Sequence, residues 1–207
     1  MIKIHLTTCI CMLTLCANQV AWGQSTPEAE KSAAIDYFDN TFADTCQPFS
    51  ETKWRFEEGE EVNPARLELS YKSEYASSDT GYETAIVYKF FCSSGAYSQQ
   101  TVFLQKSGNS FVSLSFATPV LEIKYEDDQD EKVSSIKITG YTSRSSLTNS
   151  TFDPINLLLT EQSYWRGLGD AYQKTTFLFS EGQFVLKSFE VDASYDGQIE
   201  PQLLIDY

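Results

Sequence analysis

The segment SYWRGLGD, residues 163–170, brings together an aromatic pair, a cation, two glycines and a carboxylate. As a binding corner, it would present Trp165 and Arg166 to a ligand, since exposed aromatic and arginine side chains are frequent in binding sites. As a tight turn, it would use Gly169 for an unusual backbone conformation, and Arg166 would close onto Asp170. We expect the turn, and we keep Trp165, Arg166 and Asp170 as the ligand-binding candidates.

The common catalytic devices are missing from the chain after its first 23 residues. The single histidine, His5, and both methionines lie within those 23 residues. Ser-His-Asp and Cys-His devices are therefore excluded from the remainder, as are zinc sites built on imidazole. Acid–base chemistry would have to use carboxylates, lysine or tyrosine. The sequence predicts no catalytic residue, no cofactor and no metal site.

Three other motifs are too incomplete to indicate a site. The pair Gly167 and Gly169 lacks the third glycine and the Lys-Ser/Thr of a nucleotide loop. The acidic run 126–131 lacks the glycine that a calcium loop needs for its sharp turn, so we expect a solvated hairpin loop. Asn149 begins an Asn-Ser-Thr glycosylation pattern, which is short enough to occur by chance.

Residues 1–23 have the order of a secretory signal peptide, with a basic start followed by an apolar run that ends at Cys16. Small residues stand three and one positions before a cut between Gly23 and Gln24. The run is shorter than the ~20 residues that span a bilayer. A retained anchor helix and a lipoprotein cut before Cys16 are the alternatives. We predict a periplasmic or secreted protein with no transmembrane segment in the mature chain.

Cleavage would leave only Cys46 and Cys92 of the five cysteines. Exported compartments are oxidising, so we predict a disulfide between them, with two separate thiols as the alternative. The formal net charge of −14 favours solubility and opposes binding to nucleic acid or to anionic lipid. The expected partners are an envelope protein or a cell-wall glycan, and the oligomeric state stays open.

The apolar pattern changes once along the chain. Residues 27–45 have a helix-favouring start, with Pro27 in the first turn, and apolar side chains at helical spacing. After them, runs with period-two alternation are separated by turn signals, as in consecutive antiparallel hairpins. We predict a single domain, residues 24–207, that is mainly β, with antiparallel strands and hairpins in a sandwich-like arrangement and one N-terminal amphipathic helix. The strands are expected at residues 65–72, 84–92, 100–106, 121–125 and 135–139.

An ordered series of short motifs resembles a bacterial exported family, domain of unknown function 1176, over residues 85–207. The motifs are Cys92–Ser98, Leu114–Pro119, Leu147–Pro154, Arg166–Asp170, Phe177–Phe179, Gly182 and Phe184–Leu186. Family members usually carry a cysteine after the Gly-Asp step and a partner about two strands later. This chain has Ala171 at the first place and no cysteine around Ala193, and the family's usual tryptophans near Phe177 and Phe179 are replaced as well. The resemblance implies export and assigns no catalytic residue.

Together, these patterns predict an exported envelope protein that acts as a non-catalytic binding or structural module. Abundant tyrosine and phenylalanine favour this function, because aromatic side chains dominate both cores and interfaces. The alternative is a histidine-free glycan hydrolase that uses two carboxylates. Carboxylates are so numerous that the sequence selects no pair, and an aromatic-lined cleft with two of them would favour this alternative.

Overall fold

A computed structural model describes residues 26–52, 63–77 and 79–207. The predicted signal peptide and its cleavage site lie outside these residues. None of the helices in the described part is long and apolar enough to cross a bilayer. The helices are α1 (Pro27–Thr41) and α2 (Phe49–Thr52), and the strands are β1 (Ala65–Lys72), β2 (Tyr82–Ser94), β3 (Gln99–Ser107), β4 (Ser110–Ser113), β5 (Phe116–Tyr125), β6 (Val133–Arg144), β7 (Ser146–Thr148), β8 (Thr151–Asp153), β9 (Leu158–Tyr164), β10 (Tyr172–Ser180), β11 (Gln183–Asp192) and β12 (Gln202–Asp206).

The strands form two five-stranded sheets and one separate hairpin, all antiparallel. The first sheet has the order β1-β2-β3-β4, and β7 also pairs with β3. The second sheet has the order β12-β11-β10-β9-β8, and β5 pairs only with β6. This arrangement confirms the predicted mainly β, antiparallel, sandwich-like class. All five predicted strands lie within β1, β2, β3, β5 and β6.

The core between the two sheets is built from alternate residues of their strands. Val87 of β2 and Phe103 of β3 lie on one face of the first sheet, opposite Phe177 and Phe179 of β10, and all four are almost fully buried. Phe116, at the start of β5, lies among them, with its ring centroid 5.5 Å from that of Phe103. Burying one such side chain contributes about 1.5–3 kcal/mol, so this aromatic layer holds the sheets together.

The same face of the second sheet also packs against the β5–β6 hairpin. Leu186 of β11 contacts the intersheet core, while Phe189 and Val191 contact apolar side chains of the hairpin. A β-bulge makes this possible, because Thr176 pairs with Ser188 and the next residue, Phe177, pairs with Leu186. Lys187, which lies between Leu186 and Ser188, is skipped in the pairing. The apolar positions before and after the bulge therefore share one face.

Helix α1 covers the other face of the first sheet. Thr26 caps its start, where the side chain accepts the Ala29 N–H at 3.2 Å. Phe38 stacks on Phe90 of β2 with ring centroids 4.5 Å apart and planes 6° apart. The helix was predicted to reach residue 45, but it ends at Thr41 with Phe42 as its cap, and turns follow.

The predicted disulfide between Cys46 and Cys92 is confirmed. It joins the turn after α1 to strand β2, with the two Cα atoms 4.4 Å apart. Both cysteines belong to the apolar cluster between α1 and the first sheet. The main-chain N–H of Gln47 donates to the Cys92 carbonyl at 2.8 Å. A backbone hydrogen bond and the disulfide therefore both join the segment after α1 to strand β2.

Candidate functional site

The three candidates from the segment 163–170 lie in the tight turn between β9 and β10. Gly169 has φ +80°, a conformation that favours glycine. Arg166 reaches back to Asp170 with both ends of its guanidinium, and the Nε–Oδ1 distance is 2.6 Å. The Arg166 hydrogen bond holds the pKa of Asp170 well below its usual range. The charges of Arg166 and Asp170 therefore face each other, and they do not both point into an open space where a ligand could bind.

The same ion pair fastens the turn to the loop between β11 and β12. Arg166 Nη2 donates to the Tyr195 carbonyl at 2.9 Å, and its guanidinium carbon lies 5.1 Å from the Tyr195 ring centroid. Asp170 Oδ2 accepts the Gly197 N–H at 2.9 Å. Trp165 is half-buried against the apolar side chains of the β5–β6 hairpin and the end of β11, which we call the hairpin cluster. Its ring centroid lies 6.4 Å from that of Tyr195. The three candidates therefore brace the 193–201 loop.

The braced loop forms one wall of a polar pocket of about 480 Å³, which we call the loop pocket. It is lined by Val133, Ser134, Ser135, Ile136, Val191, Asp192, Ala193, Ser194, Asp196, Glu200 and Gln202. Its most buried carboxylate, Asp192, accepts hydrogen bonds from Ser194 and from the Glu200 N–H at 2.6 Å. Since the loop itself uses this carboxylate, Asp192 maintains the shape of the pocket.

A buried glutamate on α1 was missed by the sequence analysis. Glu30 accepts hydrogen bonds from Arg66 Nε and the Tyr88 hydroxyl, both at 3.0 Å, and from Lys106 Nζ. Burial alone would raise the pKa of Glu30, but the hydrogen bonds from Lys106, Arg66 and Tyr88 outweigh it and lower the pKa to about 2. The spacing of Glu30 in the sequence could have indicated its burial. It precedes Ala34 and Phe38 by one and two helical turns and shares their buried face.

A second buried carboxylate, Glu161 of β9, lies at the boundary between the two sheets and the hairpin. Arg144 of β6 donates to Glu161 Oε2 at 2.7 Å, and the Thr148 N–H donates to Oε1 at 3.1 Å. Burial raises the pKa of Glu161 although the Arg144 charge opposes the rise. The side chain has no exposed surface, so it joins structural elements and cannot reach a ligand.

An open cleft of about 560 Å³ lies at one end of the sandwich, and we call it the tyrosine cleft. It is lined by Tyr71, Ser73, Glu74, Tyr75, Glu83 and Glu181. Tyr71 and Glu83 come from paired strands of the first sheet, whereas Glu181 comes from the β10–β11 turn of the second sheet. The cleft therefore forms where the ends of the two sheets meet.

Tyr71 lines the tyrosine cleft and is held by a hydrogen bond and a ring contact. Its hydroxyl donates to Glu83 Oε2 at 2.9 Å, and its ring packs edge-on against Phe179 at 5.4 Å. Burial raises the pKa of the Tyr71 phenol, and the charges of Glu83 and Glu181 add to the rise. The charges of both carboxylates thus act on one phenol.

The loop that follows β1 gives the tyrosine cleft its exposed aromatic side chain. Ser73 is buried, its N–H donates to the Gly81 carbonyl at 3.0 Å, and its Oγ accepts the Tyr75 N–H at 3.2 Å. These bonds fix the backbone on which Tyr75 stands, while the Tyr75 side chain is 87% exposed. Such a surface ring on a fixed backbone is available to pack against a ligand.

The weaker motifs of the sequence serve local structure. Asn149 has φ +45°, and its Oδ1 accepts the Gln99 N–H at 2.8 Å, so the side chain of the glycosylation pattern is already engaged. Asp127 Oδ1 accepts the N–H groups of Gln129 and Glu131, which shapes the acidic hairpin loop between β5 and β6. Within the described residues, no three His, Cys, Asp or Glu side chains are grouped to hold a metal ion.

No protein-family model, curated protein or solved structure matches the chain. The resemblance to the exported family stays a prediction. The structure does locate the two alanines that stand where that resemblance expects cysteines. Tyr172 pairs with Asp192, and the next residues outward, Ala171 and Ala193, are both buried. The two alanines therefore lie just beyond the adjoining ends of two neighbouring strands.

Proposed function

We propose that this protein is an exported glycan-binding module that holds its ligand in the tyrosine cleft. The observation that carries the proposal is the exposed ring of Tyr75 beside the half-buried ring of Tyr71 in one cleft. The volume of about 560 Å³ falls in the range of small-ligand sites. Aromatic rings offer broad apolar faces, against which the C–H faces of a sugar ring can pack.

The polar side chains of the tyrosine cleft match the hydroxyl groups of a sugar. Ionised carboxylates are pure acceptors, so Glu74, Glu83 and Glu181 can accept hydrogen bonds from sugar hydroxyls. The Tyr71 phenol is already oriented by Glu83, and this orientation lowers the entropy lost when a ligand binds. A few polar groups among aromatic ones are the usual composition of a specific small-ligand site.

Export supports a glycan of the cell envelope as the ligand. The signal-peptide pattern of residues 1–23 and the Cys46–Cys92 disulfide both suit an oxidising compartment outside the cytoplasm. The resemblance to the exported bacterial family suggests the same location. A strongly acidic chain is repelled by anionic polymers, which favours neutral or cationic glycans as partners.

Sedimentation with insoluble polysaccharides tests the proposal. The chain from residue 24 is mixed with chitin, cellulose and purified peptidoglycan, and the fraction bound to each is measured. We expect one of them to retain the protein and the variant Tyr75→Ala to lose retention. Tyr141→Ala, which removes another exposed tyrosine from the hairpin, is the control. If no polysaccharide retains the protein, or if Tyr75→Ala is retained as well as the control, the proposal is wrong.

A second candidate function is hydrolysis of the bound glycan. It is favoured by one observation, that Glu83 and Glu181 reach the same aromatic-lined cleft from different sheets. Glycosidases use two carboxylates in this way, one as general acid and the other as base or nucleophile. Release of reducing ends from the retained polysaccharide would show it, and Glu83→Gln and Glu181→Gln should then abolish release while reducing retention far less, because each amide keeps an oxygen acceptor. Retention without release identifies a binding module only.

A further inference from the structure

We infer that the tyrosine cleft prefers a glycan bearing free, protonated amino groups over its neutral N-acetylated counterpart. This inference rests on the proposed function and names the ligand class for the same site. Two features that are independent of charge mark the cleft as a ligand site. They are its open volume of about 560 Å³ and the Tyr75 ring, which is 87% exposed.

The charges of the tyrosine cleft then select among glycans. Of its six lining residues, three are glutamates and none is lysine or arginine. Oε2 of Glu83 already accepts a hydrogen bond from the Tyr71 hydroxyl, so the other carboxylate oxygen remains for a ligand. The other two glutamates, Glu74 and Glu181, are exposed at the mouth of the cleft. A neutral sugar would leave this negative charge unbalanced, whereas an ammonium group would balance it.

An ammonium group also matches the balance of donors and acceptors in the tyrosine cleft. It carries three N–H donors, whereas the ionised carboxylates of the cleft offer only acceptors. Tyrosine rings add a second attraction, because a cation is drawn to the negative face of an aromatic ring. The raised pKa of Tyr71 agrees with this picture, since the charges of Glu83 and Glu181 that disfavour its phenolate would favour a nearby cation.

Tetramers of glucosamine and of N-acetylglucosamine are suitable probes, because they share a backbone and differ in the charge on nitrogen. Titration calorimetry at about pH 5.5 keeps amines protonated and ordinary carboxylates ionised. We expect the glucosamine tetramer to bind about tenfold more tightly, as a partly screened ion pair would give. The preference should shrink between about 50 mM and 500 mM salt, because the Debye length shortens over this range.

Charge-neutral variants assign the preference to the tyrosine cleft. Glu181→Gln should reduce the tenfold preference to about threefold or less, because the amide removes the charge but keeps an oxygen acceptor for sugar hydroxyls. Asp128→Asn, which removes the same charge from the β5–β6 loop, should leave the preference unchanged. Equal binding of the two tetramers would overturn this inference and leave the proposed function standing. Absence of binding by either tetramer overturns the inference, while polysaccharide sedimentation still decides the proposed function.

Discussion

Tyr71 and Glu83 are register partners on β1 and β2, and the phenol of the first donates to the carboxylate of the second at 2.9 Å. The turn of the opposite sheet lies directly against this pair. A Cβ atom added at Gly182 would lie 3.0 Å from the Tyr71 hydroxyl oxygen. The position of one phenol thus couples the ends of both sheets, and a single methyl group can test the coupling.

We predict that Gly182→Ala weakens glycan binding by displacing the Tyr71 hydroxyl. Gly182 has φ +80°, so the variant should also lose about 1–2 kcal/mol of stability through backbone strain. Gly108→Ala is the matched control, because Gly108 has φ +61° and nothing within 4 Å of the added atom. Chemical denaturation should show similar losses for the two variants, and only Gly182→Ala should lose binding. Equal glycan binding by the two variants would show that the position of the Tyr71 hydroxyl does not matter for ligand recognition.

The Glu30 cluster predicts how stability depends on acid. The pKa of Glu30 is lowered from 4.5 to about 2 in the folded protein, so its contribution is present above about pH 4.5 and is lost as the pH falls towards 2. We expect about 2 kcal/mol, less than the pKa difference alone gives, because water screens the partly exposed Arg66 and Lys106. Urea unfolding of wild type and Glu30→Gln from pH 7 to 2.5 measures it. The two proteins should converge in stability at low pH, and a constant difference would contradict the prediction.

We predict that the contacts between Arg166 and Asp170 require a guanidinium group and not only a positive charge. Arg166→Lys retains the charge but loses the forked contact with Asp170 and the contacts with Tyr195, so we expect a lower melting temperature. Addition of a loop-specific protease should then cleave the 193–201 loop faster than in wild type. Lys174→Arg, in the partly exposed ion pair with Glu190 between β10 and β11, should alter neither measurement. An unchanged protease sensitivity in Arg166→Lys would show that the loop is held by other contacts.

Trp165 should contribute to stability through packing on the hairpin cluster. Its side chain is half-buried, so Trp165→Ala is expected to cost about 2 kcal/mol rather than the 3–5 kcal/mol of a fully buried ring. Thermal melting together with polysaccharide sedimentation checks this prediction. A variant of unchanged stability that no longer binds glycan would make the 163–170 turn the ligand site in place of the tyrosine cleft.

The buried positions 171 and 193 should accept an engineered disulfide. Ala171 and Ala193 follow the paired residues Tyr172 and Asp192 outward, and continuing that register would place their Cα atoms about 4.5–5.5 Å apart, within the range that a disulfide spans. The double variant Ala171→Cys and Ala193→Cys should therefore oxidise and stabilise the protein by about 3 kcal/mol in the chain-entropy model. Intact mass after thiol alkylation reports the bond, and each single variant serves as a control. Two free thiols in the folded double variant would contradict the prediction.

Alternation and turn residues act within a few positions, so the five strands expected from them all lie within strands of the structure, while no range was predicted for the other seven strands of the described residues. The strand expected at residues 65–72 coincides with β1. Which strands pair across the sandwich could not be predicted, since Val87 and Phe177 come together only through packing of distant segments. The end of α1 was placed too late, because the apolar Phe42 continues the helical spacing but serves as the cap.

The candidate site was harder to predict than the fold. Segment 163–170 attracted attention because its charged and aromatic side chains are close in sequence, yet their charges pair with each other in the structure. The tyrosine cleft instead draws on the end of β1, the start of β2 and the β10–β11 turn, so Tyr71 and Glu181 are over a hundred residues apart. Exposed Tyr75 had no distinguishing neighbours in the sequence, and only the meeting of the two sheets gives it a role.

The bulge in β11 makes strand length, as well as residue type, part of the information that specifies this fold. Lys187 has no partner on β10, although its carbonyl accepts the Tyr207 N–H at 2.9 Å. Without the bulge, a regular strand would place Leu186 and Phe189, which are three positions apart, on opposite faces, because side chains alternate with period two. Phe189 and Val191 would then point to solvent, and polar neighbours would face the hairpin. Deleting Lys187 would instead restore regular alternation with these side chains still on the core face, so a one-residue deletion is less damaging at this point than elsewhere in the strand.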